Sequence, residues 1–102
     1  MKAIIDGRKY DTETAEVIDS YGNGRYGNDF YRLEETLYRK KTGEFFLCGD
    51  GGAMTEYGRP CGTNTWCGGK RIVPMTEAEA KLWLEQHGDT ETYEAVFGEV
   101  EE

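Results

Sequence analysis

A chain of 102 residues is the size of one domain, which excludes two separate catalytic units and points to one core and one principal site. Its 14 glycines and two prolines give many bends without the composition of a disordered linker, and a 13% aromatic share supplies a small core that leans on Tyr, Phe and Trp. The net charge of -8 arises entirely in the last quarter, since residues 1–75 hold 11 acids and 11 bases while residues 76–102 hold nine acids and Lys81 alone.

In chain order, the opening MKAIIDGRKYD lacks the apolar core of a signal peptide, and no run reaches the roughly 20 apolar residues of a membrane span. A cytoplasmic protein with no membrane segment is expected. Two short runs flank Asp6-Gly7, a pair that tolerates positive φ and favours a two-residue hairpin turn. Ala15 to Tyr21 alternates as an edge strand does, and the polar stretch Gly22 to Asp29 is a loop by composition. Phe30 to Arg39, with Tyr31, Leu33 and Leu37 on one face, turns at Lys41-Thr42-Gly43 into Glu44–Cys48 and predicts a long hairpin.

Gly49 to Lys70 is rich in glycine and has no sustained periodicity, so a long loop with a function or an anchor is expected there. Arg71–Pro74 reads as a short strand with the proline at its end. Thr76 and Glu79 have capping-box spacing and open a helix that runs to His87 and stops at Gly88, with Ala80, Trp83, Leu84 and His87 on the inward face. Asp89 caps a second helix whose stripe is Tyr93, Val96 and Phe97. The predicted fold is α+β, an antiparallel sheet of four to five strands with a long Gly-rich loop and two C-terminal helices packed on it. Residues 1–98 form the single domain and 99–102 an acidic tail.

Three cysteines cannot all pair within one chain, so free thiols or metal ligands in a reducing compartment are expected. Each is followed by glycine, which lets the chain turn tightly enough to aim backbone N–H groups at a thiolate. Three thiolates want a fourth ligand, and His87 is the one histidine. A helix of about 12 residues spans about 18 Å, the length of a five- or six-residue strand, so it returns His87 to the loop end of the sheet. This predicts a structural zinc site of Cys48, Cys61, Cys67 and His87, with Asp50 as the reserve ligand. The competing arrangement is three free thiols with His87 stabilising the negative helix C-terminus. Trp66, between two cysteines, is expected as a lid over this loop, or else as a partner contact.

Catalytic patterns are weaker. Nothing selects which cysteine would be activated by the lone histidine. Glu34 and Glu35 are neighbours on a strand and so point to opposite faces, and Glu77 and Glu79 suit a helix N-terminus. The glycines of GNGRYGND have no following Gly-Lys-Ser/Thr, which leaves them as a turn. No enzymatic activity is expected.

The segments IIDGRKYDTETA, DFYRLEETLYRKKTGEFFL, GDGGAM and IVPMTEAEAKLWLEQH resemble a family of small acidic proteins carried by phages and other mobile elements of Firmicutes. Some proteins of this kind are anti-CRISPR inhibitors that bind Cas9, so the resemblance implies an inhibitor that acts by occupation. In the family pattern the position of Cys48 is often a histidine, and Cys61 and Cys67 are not general features, so the zinc proposal rests on spacing alone. A negative field from one segment repels nucleic-acid phosphates and attracts basic protein grooves such as those that hold a heteroduplex. The expected contact residues are Glu85, Asp89, Glu91 and Glu94, around the junction of the two helices. The expected partner is Cas9 or another basic nucleic-acid-binding protein, with no direct nucleic-acid binding. The alternative is a mobile-element accessory module that binds some other host protein.

Overall fold

The computed structural model describes residues 1–25 and 29–99, so parts of the expected 22–29 loop and 99–102 tail lie outside the described residues. In chain order the strands are β1 (Lys2–Ile5), β2 (Arg8–Asp11), β3 (Glu16–Gly22), β4 (Leu33–Arg39), β5 (Phe45–Gly51), β6 (Arg59–Gly62), β7 (Thr65–Cys67) and β8 (Gly69–Met75). Helices α1 (Glu77–His87) and α2 (Thr90–Phe97) follow. The fold is α+β: a four-stranded antiparallel sheet in the order β3-β4-β5-β8, with the β1–β2 and β6–β7 hairpins as separate two-stranded sheets.

Local sequence explains the turns and caps. Asp6 and Gly7 both sit at positive φ, +52° and +79°, which closes β1 onto β2 with the two-residue turn that Asp-Gly favours. At the start of α1, Thr76 accepts from the Glu79 backbone N–H at 3.1 Å while the Glu79 carboxylate accepts from the Thr76 N–H at 3.0 Å, completing the capping box. Asp89 caps α2 by accepting from the Thr92 N–H at 2.7 Å. These bonds hold its carboxyl below the usual aspartate range.

The sheet is covered on both sides, and strand alternation sorts its residues between two cores. Leu37, Phe45 and Leu47 face the helices and pack with Ala80, Trp83 and Leu84, joined at the margin by Tyr93, Val96 and Phe97. Phe46, Cys48 and Ile72 point the other way and pack under the β1–β2 hairpin with Tyr10. The continuous apolar run Phe45–Cys48 is thus the signature of a central strand buried on both faces. Tyr38 stacks on the Phe46 ring and Tyr10 meets its edge, with centroids 5.0 and 5.5 Å away, which ties the hairpin to the sheet.

Two expectations change. The fourth strand starts at Leu33, so Phe30 and Tyr31 lie before it as exposed aromatic residues. The expected structureless loop from Gly49 to Lys70 contains the end of β5, the β6–β7 hairpin and the start of β8. Its anchor is Tyr57, whose ring lies against Gly49, where a Cβ would overlap the phenol. Glu34 and Glu35 point to opposite faces as expected, with Glu34 exposed and Glu35 turned inward, where it is 5% exposed. Its Oε1 accepts from Trp83 Nε1 at 3.0 Å and its Oε2 accepts from the Tyr57 hydroxyl.

Burial and this carboxylate together push the Tyr57 hydroxyl far above the ordinary tyrosine range, so it stays a donor at any pH where the protein is handled. Glu35→Ala leaves two buried donors without an acceptor and should cost about 2–4 kcal/mol in urea unfolding, with Glu35→Gln losing less. Gly49→Ala should displace Tyr57 and cost about 1–3 kcal/mol in the same assay.

Candidate functional site

The two helices and the cap between them hold six of the nine acids of the last quarter, and their junction shapes this charge. Helix α1 crosses the sheet from β8 at its start to β3 at its end, where His87 packs on Tyr21 with ring centroids 4.1 Å apart. The chain then reverses through Gly88 and Asp89 into α2. Leu84, Glu85, Gly88, Asp89, Tyr93 and Glu94 surround a groove of about 290 Å³ at this reversal.

Of the four expected contact residues, Glu85, Asp89 and Glu94 line that groove, while Glu91 stands exposed in the first turn of α2 beside it. None of the four forms an ion pair among the described residues, whereas the one base of this region, Lys81, pairs with Glu77 at 3.7 Å and lies over the Phe97 ring. The result is a concave surface with an apolar floor from Leu84 and Tyr93 and an uncompensated acidic rim. Asp89 does double duty, because its carboxylate also caps α2.

The expected zinc ligands are not brought together. Cys61 and Cys67 are joined to each other as a disulfide that closes the β6–β7 hairpin. Cys48 is 9% exposed in the core beneath the β1–β2 hairpin, where its Sγ approaches Met1 Sδ at 3.8 Å. Burial pushes its thiol pKa up, partly offset by Lys70 and the N-terminal ammonium. His87 lies on the opposite face of the sheet against Tyr21 and Trp83. The reserve ligand Asp50 is held by Arg32 at 2.9 Å. A Cys3His shell would require breaking the disulfide and moving His87 off Tyr21. Among the described residues no group of three or more His, Cys, Asp or Glu side chains gathers around one metal position.

Trp66 is a lid over nothing: it is 58% exposed on the stapled hairpin. With Phe30 it borders a second depression of about 370 Å³, and exposed Met54 is tied to this edge by its N–H donating to the Phe30 carbonyl at 2.8 Å. Tyr31 beside them carries the Arg25 guanidinium over its ring at 5.6 Å. The exposure of Trp66 does not suit the expected lid, and the expected strand residues Phe30 and Tyr31 precede β4 and stand exposed.

No family model, curated protein or solved structure matches the chain. No helix among the described residues is long and apolar enough to cross a membrane.

The cysteine arrangement is directly measurable. Maleimide labelling followed by mass measurement should find no fast-reacting thiol in the folded, unreduced protein, one after unfolding, and three after reduction and unfolding. Three reactive thiols without reductant would overturn the pairing.

Proposed function

We propose that this protein is a non-enzymatic inhibitor that occupies a basic, nucleic-acid-binding groove on a partner protein, with the α1–α2 junction as its contact surface. The observation that carries this reading is the concentration of the whole negative excess in one segment, with Glu85, Asp89 and Glu94 around one groove and no cation to pair with them among the described residues. Such a surface steers onto Lys- and Arg-lined grooves and competes with the phosphates those grooves hold. The Leu84 and Tyr93 floor adds the apolar contact that charge alone lacks.

The resemblance to phage and mobile-element proteins directs the choice of partner to a type II Cas9 inside the bacterial host, whose heteroduplex channel is positively charged. Binding there hinders loading of guide or target DNA. Occupation fits the core thiol as well, since Cys48 is buried with its pKa raised. The contact surface so drawn includes none of Cys48, Cys61 and Cys67, and the disulfide of the stapled hairpin would open in a reducing cytoplasm.

The test is cleavage of a target plasmid by Cas9 and guide RNA after preincubation with the purified protein. Dose-dependent protection is expected, equal with and without reductant, and weakening about tenfold as salt is raised from low to several times physiological strength. The variant Glu85→Gln/Glu91→Gln/Glu94→Gln, which spares the Asp89 cap, should remain folded by circular dichroism and lose most of the protection. Undiminished cleavage at large excess, repeated with Cas9 from several hosts, would sink the Cas9 assignment.

A second reading, an accessory module for another host protein, is favoured by one observation. Phe30 and Trp66 are large, exposed and border one depression, and exposed Met54 is bonded through its N–H to the Phe30 carbonyl, the composition of an interface anchor. Under that reading Trp66→Ala weakens partner capture by about tenfold or more while leaving the acidic groove unchanged.

A further inference from the structure

Four of the chain's 12 basic residues meet at one pocket used by neither core and lying away from the acidic groove. Arg8 and Lys9 come from β2, and Lys40 and Lys41 from the turn between β4 and β5. Together with the Thr14 and Thr42 side chains they line a cavity of about 340 Å³. That turn is fixed by its backbone, with the Lys40 N–H donating to the Glu44 carbonyl and the Gly43 N–H to the Lys40 carbonyl, both at 2.8 Å. Gly43 takes φ +94°, which suits a residue without a Cβ.

The charges at this pocket do not balance. One carboxylate, Glu44, serves two cations, accepting from Arg8 at 2.8 Å and from Lys40 at 3.4 Å. The pocket's own acid, Asp11, is already engaged through Oδ1 by the Glu13 backbone N–H at 2.9 Å. Lys9 and Lys41 are exposed and form no ion pair among the described residues. Like charges gathered this way repel, and in a protein of net charge -8 there is no shortage of acids to separate them.

The pairing also preorganises the pocket. Lys40 is held with its ammonium 4.5 Å above the Tyr10 ring centre, and Arg8 is oriented by Glu44. Two cations are therefore held in place and two are free to close on a guest, with the Thr14 and Thr42 side chains in the same lining. From this geometry we propose that the pocket binds the phosphate group of a small molecule, a doubly charged tetrahedral oxyanion that accepts charge-assisted hydrogen bonds from several directions at once.

The probes are inorganic phosphate and adenosine 5′-monophosphate, each titrated into the isotopically labelled protein against sodium chloride of equal ionic strength and followed by amide resonances. Saturable shifts confined to the β2 strand and the Lys40–Glu44 turn are expected with phosphate. Equal affinity for the nucleotide means that the group is read alone, and tighter binding means that its carrier is read too; either supports the site. The exposed double variant Lys9→Ala/Lys41→Ala should bind about tenfold more weakly, and Lys9→Arg/Lys41→Arg should retain binding. Shifts no larger than those with sodium chloride, or unchanged affinity in the alanine variant, would overturn the proposal.

Discussion

The carboxylate of Glu35 is the point at which three layers of this protein meet. It leaves the sheet from β4, accepts from Trp83 in α1, and accepts from Tyr57 in the segment between β5 and β6. A buried acid with no base beside it is expensive unless its lone pairs are used, and here two strong donors reach both oxygens. The geometry then propagates. Trp83 fixes how far α1 lies across the sheet, which delivers His87 to Tyr21 and sets where the chain reverses into α2. The acidic groove is placed by that reversal.

Charge is organised around the same frame. The helical layer carries six of the nine acids of the last quarter, while the far side of the sheet, beneath the β1–β2 hairpin, ends in a cluster of bases. The molecule thus presents two surfaces of opposite sign on a chain whose first three quarters are neutral overall. At physiological salt a field falls off over about 8 Å, so neither surface cancels the other for a ligand in contact with it. Net charge predicts long-range steering, and local clusters predict what docks.

Features written in adjacent residues were legible from sequence. The Asp6-Gly7 turn, the Thr76/Glu79 capping box and the Asp89 cap each depend on neighbours within a few positions. The burial of Glu35 was not legible, because its donors lie 22 and 48 residues along the chain and nothing local distinguishes it from exposed Glu34. The cysteines misled for a related reason. A separation of six residues suits a metal loop as well as a hairpin, and the choice rests on β6–β7 pairing, which glycine-rich sequence without alternation conceals. The acidic surface was legible as composition, but that Glu91 stands outside the groove while its three companions line it depends on the angle between the helices.

Gly51 and Gly69 sit opposite each other on adjacent antiparallel strands, so a short turn would connect β5 to β8 without disturbing the sheet. The chain makes a long excursion instead. Its first part is spent on Tyr57, which the Glu35 contact requires, but the β6–β7 hairpin beyond belongs to neither core and carries its own covalent closure. Lengthening such a loop costs little entropy. This stretch is consequently the place where added or removed residues can be accommodated while the domain beneath keeps its architecture.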